Sequence, residues 1–120
     1  MPRPILVVDD EADLVGTYER LLRRQGYRVI SAGTRREALE RVRSERLVLV
    51  VADLRLPDGD GLDIVRAARA VGSPPPVIVV TGFYSEASRR QALEAGAAAY
   101  LVKPFAISTF TALVEKVLGR

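Results

Sequence analysis

Apolar residues fall in five short runs along the chain, and four of them stop abruptly at a charged or hydroxyl-bearing residue. Ile5 to Val8 ends at Asp9-Asp10-Glu11, Leu47 to Ala52 at Asp53, Val77 to Val80 at Thr81-Gly82, and Ala98 to Val102 at Lys103-Pro104. Arg28 to Ser31 is a shorter, more polar member of the set, which places it nearer a sheet edge. Short apolar runs bounded by turn residues read as buried strands. Between them the apolar spacing becomes helical. Leu14, Val15, Tyr18, Leu21 and Leu22 form one stripe, closed by Gly26. Thr34-Arg35-Arg36-Glu37 has the form of a capping box, opening a helix that buries Ala38, Leu39 and Val42. Gly61 or its neighbour starts a third helix through Leu62, Val65 and Ala68, stopped by Gly72 and Pro74-Pro75-Pro76. Ser85 caps a fourth, alanine-rich helix that ends at Gly96. Ile107, Phe110, Leu113, Val114, Val117 and Leu118 mark a fifth.

Five near-continuous strands alternating with five helices predict an α/β fold with a parallel sheet covered on both faces. Right-handed crossovers leave few arrangements. With the second strand the most polar, the expected order is 2-1-3-4-5, a doubly wound (βα)5 sandwich. No repeat, low-complexity tail or linker interrupts the pattern, so residues 1–120 are expected to form one domain.

Composition adds exclusions. Apolar residues at 48% and charged residues at 28% give the ordinary balance of a globular chain. There is no cysteine, hence no disulfide framework or thiolate metal site. The longest apolar runs are about a third of a membrane span, and the N-terminus is too short in apolar residues for a signal peptide. A cytoplasmic protein without a membrane association is the expectation. The net charge of +3 could suggest nucleic acid, but the arginines are scattered over several helices and not interleaved with aromatics. Solvated helix faces are the expected reading, with no direct nucleic-acid binding. Only two lysines occur, Lys103 and Lys116, which makes the strand-end position of Lys103 informative.

In an open parallel sheet, ligands bind outside the carboxyl ends of the strands, near the point where strand order reverses. Those ends carry Asp9, Asp10, Asp53, Thr81 and Lys103. Three carboxylates in one small volume repel one another by roughly 4 kcal/mol per pair at about 4 Å, so the cluster needs a cation or protons. Oxygen ligands without His or Cys favour a hard cation, and Mg²⁺ takes one or two carboxylates together with water and phosphate oxygens. An ammonium and a hydroxyl beside such a cation can receive a phosphoryl group. A carboxylate among them can act as nucleophile, and the surrounding charges would stabilise the transferred oxygens.

These residues, in ILVVDDEADL, VADLRLPDGDGLDIV, VIVVTG and AGAAAYLVKPF, resemble the response-regulator receiver domains of two-component signalling over essentially the whole chain. The resemblance implies a CheY-like, flavodoxin-like fold and a phosphorylation-dependent switch. By that likeness Asp53 accepts a phosphoryl group from a phosphohistidine on a histidine kinase or phosphotransfer protein. Asp10 is a direct Mg²⁺ ligand, Asp9 acts largely through water, and the Arg55 carbonyl completes the protein ligands with Asp53. Thr81 and Lys103 bind phosphate oxygens, and Tyr100 is the aromatic that swings inward when Thr81 turns to the phosphate. A cis Lys103-Pro104 bond is implied as well. The altered surface would comprise the helix from Ser85, the strand to Val102 and the last helix, acting on a downstream effector or output domain, or forming a phosphorylation-dependent homodimer. The domain would promote its own phosphorylation and its own aspartyl-phosphate hydrolysis without being a conventional enzyme. Gly82 leaves phosphorus open to water, whereas Arg55 and Phe83 are bulky enough to shield it.

Each residue also has a plainer reading. Asp9 or Asp10 could cap the helix beginning near Ala12, Asp53 could satisfy loop amides, Thr81 could be an ordinary strand-end hydroxyl, Lys103 a surface lysine and Tyr100 a half-buried strand tyrosine. Two rival functions share the fold. A flavin binder should offer amides in the first loop, where this chain has Asp9-Asp10-Glu11. A pseudo-receiver would serve only as a docking module. Lacking histidine, the chain must take its phosphoryl group from another protein or a small donor such as acetyl phosphate. No output domain is evident, so a stand-alone receiver or the N-terminal part of a longer regulator is expected. Winged-helix regulators usually carry two acids where Ala98 and Ala99 stand here, which disfavours their particular dimer.

Overall fold

The structure, a computed structural model, describes residues 3–119. Five strands, β1 (Ile5–Val8), β2 (Val29–Ala32), β3 (Leu49–Asp53), β4 (Val77–Thr81) and β5 (Ala99–Val102), form one parallel sheet in the order β2-β1-β3-β4-β5. Helices α1 (Ala12–Arg24), α2 (Arg35–Ser44), α3 (Leu62–Ala70), α4 (Glu86–Ala95) and α5 (Ile107–Val117) alternate with them. This is the predicted doubly wound, flavodoxin-like architecture. Among the described residues no helix is long and apolar enough to cross a membrane.

The boundaries differ from the predicted ones by a residue or two, for reasons of pairing. Leu47 is buried but precedes the ladder, because β1 begins at Ile5 and Ile5 stands opposite Leu49. Asp53, expected just beyond the strand, is its last residue and pairs with Val80. β2 runs one residue later than expected, since the Arg28 carbonyl accepts from Ile5 N–H at the entry to the ladder.

Side chains alternate strictly between two cores. Leu6, Val8, Val50, Ala52, Val77 and Val79 meet α2, α3 and α4, while Ile5, Val7, Leu49, Val51, Ile78 and Val80 meet α1 and α5. Full burial of such aliphatic side chains stabilises by about 1.5–3 kcal/mol each. Both β3 and β4 are buried along their whole length, whereas every residue of β5 is only half-buried.

The strands' alternation also sorts the polar residues at their ends. Asp9, Asp53 and Lys103 have the register of the α1/α5 core; Asp10, Thr81 and Tyr100 have that of the core under α2, α3 and α4.

Between β3 and α3 the chain makes a small antiparallel ribbon, Arg55–Leu56 against Gly59–Asp60. Gly61 follows it, where a Cβ would collide with the Asp53 carbonyl and the Leu54 backbone. The capping box at Thr34 is half formed. Its Oγ1 accepts from Glu37 N–H at 3.1 Å, but the Glu37 carboxylate meets the Thr34 hydroxyl at 3.3 Å rather than the Thr34 amide. Ser85 caps α4 as expected, accepting from Ser88 N–H at 3.0 Å.

Candidate functional site

Strand ends deliver four of the five predicted groups to one spot. Carboxylate oxygens of Asp9, Asp10 and Asp53 lie within 4.8 Å of one another. Lys103 Nζ donates to Asp9 Oδ2 and to Asp53 Oδ2, both at 2.8 Å. Asp9 and Asp53 are buried, while Asp10 is exposed and has no hydrogen-bond or ion-pair partner among the described residues. The peptide before Pro104 is cis, as the resemblance implied.

The second oxygens of the buried pair are held by the backbone. Asp9 Oδ1 accepts from Glu11 N–H at 2.9 Å, and Asp53 Oδ1 accepts from Arg55 N–H at 3.1 Å. One plainer reading is thereby partly met: Asp53 does satisfy a loop amide. Asp9, however, does not cap α1, whose N-cap residue Glu11 makes no side-chain cap bond. Burial acts to lower the Lys103 pKa, but hydrogen bonds and charge from Asp53 and Asp9 outweigh it and hold the ammonium above the ordinary lysine value. Three carboxylates against one ammonium leave a formal surplus of two negative charges, all on oxygen donors. That set suits a hard divalent cation such as Mg²⁺, with exposed Asp10 the most accessible ligand.

The ribbon explains how a backbone carbonyl can join them. Gly61 N–H donates to the Leu54 carbonyl at 2.8 Å, closing the ribbon at residues 54 and 61. Alternation in an antiparallel ribbon then makes Arg55 and Asp60 a non-hydrogen-bonded pair, whose N–H and C=O groups both face outward. Since the Arg55 N–H is spent on Asp53, its carbonyl opens on the same edge, that of the acidic cluster.

Thr81 shares no side-chain hydrogen bond with this ion cluster among the described residues. It is buried at the end of β4, and its hydroxyl accepts from Phe83 N–H at 3.0 Å. It lines a groove bordered by Arg55, Leu56, Phe83, Tyr84 and Ser88. Tyr100 is half-buried on β5, and its hydroxyl shares a hydrogen bond with the Ser88 hydroxyl at 3.1 Å. The Tyr84 ring meets it edge-on, with centroids 6.3 Å apart.

Several contacts were not legible in the sequence. The Arg55 guanidinium lies 3.7 Å above the Phe83 ring, so the two bulky residues act as one stack. The Asp58 carboxylate accepts from Arg35 N–H at 2.7 Å and Arg36 N–H at 3.0 Å. Those two bonds hold its pKa below the usual carboxylate value, the Arg36 amide contributing most. Tyr18 was read as one more residue of an apolar stripe. It is buried against Phe105 and Phe110, its hydroxyl has no partner, and burial pushes its pKa up.

Comparison with known proteins yields one consistent picture. The family model for the response regulator receiver domain matches residues 5–115. The transcriptional regulatory protein PrrA of Mycobacterium tuberculosis is 40% identical over 116 residues, covering 97% of this chain and 50% of PrrA. The chain thus spans about half the length of that relative. The receiver domain of the sensor histidine kinase PA1611 from Pseudomonas aeruginosa, solved with a magnesium ion in its active-site cleft, superposes with a TM-score of 0.87 at 29% identity and covers both chains completely. A response regulator from Burkholderia pseudomallei, solved with a phosphorylated aspartic acid, a calcium ion and citrate, superposes with a TM-score of 0.85 at 30% identity, covering 98% of this chain and 69% of that one.

Proposed function

The chain belongs to the response regulator receiver domain family, and from that membership we propose that Asp53 is its phosphoacceptor, switched by a partner histidine kinase or phosphotransfer protein. Membership itself establishes the coarser statement: this is a receiver domain of phosphorylation-dependent two-component signalling. The observation that carries the finer reading is the bridging of Asp9 and Asp53 by Lys103 at 2.8 Å beside an unpartnered, exposed Asp10.

In the proposed reaction an Asp53 carboxylate oxygen attacks phosphorus. An O–P bond forms as the partner's N–P bond breaks, and the electron pair returns to the partner imidazole nitrogen. Lys103 turns its ammonium from the carboxylates to the incoming phosphoryl oxygens, and the Thr81 hydroxyl exchanges the Phe83 amide for the same group. Asp9 and Asp10, with Asp53 and the Arg55 carbonyl, would hold Mg²⁺, which supplies charge neutralisation for the transferred oxygens. In hydrolysis a water oxygen attacks phosphorus, the Asp53 O–P bond breaks, and inorganic phosphate leaves.

Phosphorylation adds about 1.5–2 negative charges. We take Thr81 and Tyr100 as the two-state element that reads it: movement of Thr81 makes room on the α4 side, and Tyr100 gives up Ser88. Output passes through the α4–β5–α5 face to a downstream effector or to an output domain elsewhere in a longer protein, and a cytoplasmic setting belongs to the same proposal.

The test is incubation with Mg²⁺ and acetyl phosphate, followed by intact mass. Wild type should gain one phosphoryl group and Asp53→Asn none. Equal labelling of both proteins would overturn the assignment of Asp53, and no labelling of either would favour the docking-module reading.

A further inference from the structure

The loop that presents the Arg55 carbonyl is fastened from outside the ion cluster, and its fastenings converge on the first two residues of α2. Asp58, at the tip of the ribbon, accepts the backbone N–H groups of Arg35 and Arg36 at 2.7 and 3.0 Å. The Arg35 guanidinium then crosses the ribbon, so that a Cβ on Gly59 would meet its Cδ, and ends on Asp63 Oδ2 at 2.8 Å. Asp63 lies in the first turn of α3 and also receives Arg66. The ribbon is therefore clamped between the N-terminus of α2 and the first turn of α3.

The Asp58 fastening has a reason to be stronger than an ordinary surface contact. The first amides of a helix have no partner within the helix, and a carboxylate there is favoured by the helix dipole as well as by the hydrogen bonds. α2 is already capped by Thr34 through Glu37 N–H, so Asp58 is not needed to begin the helix. Its two bonds take up amides that Thr34 leaves free, and they fix the loop. A two-residue ribbon has little stability of its own, and without the clamp the Arg55 carbonyl would be held only by the Arg55–Asp53 and Gly61–Leu54 bonds and the Phe83 stack.

We propose that Asp58, with Arg35 as the bridge to Asp63, is a positioning residue for the divalent cation: it sets cation affinity by holding the Arg55 carbonyl on the edge it shares with Asp53. The inference rests on the reading of Asp9, Asp10, Asp53 and the Arg55 carbonyl as the metal site. Outer partners that orient a ligand typically change metal affinity about 10–100-fold when removed. Because loop closure here is shared among several bonds, a loss near the lower end, about tenfold, is expected for Asp58→Ala.

The test is a Mg²⁺ titration of the unphosphorylated protein followed by backbone amide chemical shifts, with Asp58→Ala, Asp58→Asn, Thr34→Ala and Asp10→Asn compared with wild type. Thr34→Ala removes the other cap of the same helix and touches no part of the ribbon. Thermal melts of each variant report stability separately. The clamp predicts a dissociation constant about tenfold weaker in Asp58→Ala, an intermediate value in Asp58→Asn, which keeps one acceptor oxygen, and wild-type affinity in Thr34→Ala even where its melting temperature falls. An affinity in Asp58→Ala equal to wild type, or a loss in Thr34→Ala as large as that in Asp58→Ala, would overturn the clamp while leaving the metal site standing. Wild-type binding that is absent, or that Asp10→Asn leaves unchanged, would instead remove the metal-site reading and the clamp with it.

Discussion

Helices α3 and α4 cover the same face of the sheet, yet α3 buries Leu62, Ile64, Val65 and Ala68 in nine residues while α4 buries only Ala92 in ten. α4 is tied to its neighbours by polar contacts that can be exchanged, the Ser88–Tyr100 hydroxyl pair and Arg69 of α3 donating to the Ala95 carbonyl at 3.2 Å, while Ser85 caps its own first turn. The strand beneath repeats the contrast, since β3 is fully buried and β5 only half. The site lies across this boundary. Its three carboxylates and the ribbon belong to the anchored half, and Thr81 and Lys103 lead into the weakly anchored one. A region with few buried apolar contacts opens at low cost, so a change of charge at Asp53 is expected to move α4 and β5 and leave α3 in place.

The largest effect should come from attacking the anchored side. Ile64→Ala removes a fully buried side chain from α3 and should cost about 2–5 kcal/mol in chemical denaturation. Leu93→Ala on half-exposed α4 should cost well under about 1 kcal/mol. Equal losses would erase the contrast.

Next comes the pairing at the boundary itself. Lys103→Met leaves two buried carboxylates without their ammonium and should destabilise by about 2–3 kcal/mol in metal-free buffer. Added Mg²⁺ should restore part of this by binding only the folded state. Because the folded pKa of Lys103 is raised, its contribution is complete below the ordinary lysine range and fades only as pH rises past it. The gap between wild type and variant should therefore stay constant from about pH 6 to about pH 9, which denaturation at several pH values would check.

Ser85→Ala should cost about 1 kcal/mol and raise hydrogen exchange in the first turn of α4, without effect on α3. Smallest is the effect expected of the Arg55–Phe83 stack, the proposed shield over phosphorus. The Arg55–Phe83 stack is worth roughly 0.5–1 kcal/mol, so Phe83→Ala or Arg55→Ala should speed phosphate loss about two- to fivefold. The double variant should add little, since each single change already breaks the same stack.

The strands, the sheet order and the five strand-end residues were legible because each depends on patterns that sequence carries directly: apolar runs, turn residues and a carboxylate at the end of a run. Asp9, Asp10, Asp53 and Lys103 meet as expected. What escaped were contacts between residues distant in sequence and ordinary in type. Asp58 in PDGD reads as a turn former, and nothing local says that its carboxylate reaches two amides over twenty positions away. Arg55 and Phe83 stack because β3 and β4 are neighbours, a fact of topology rather than of either motif. The opposite facing of Thr81 and Asp53 follows from strand parity, which could have been counted along the chain. Val77, Val79 and Thr81 share one face, whereas Leu49, Val51 and Asp53 share the other.

The most direct measurement is amide hydrogen exchange of wild type and Asp53→Asn, with and without beryllofluoride and Mg²⁺. The account predicts a change confined to residues 83–105 in wild type, unaltered protection across α3, and no response in Asp53→Asn. Equal changes in α3 and α4, or the same response in the Asp53→Asn protein, would contradict it.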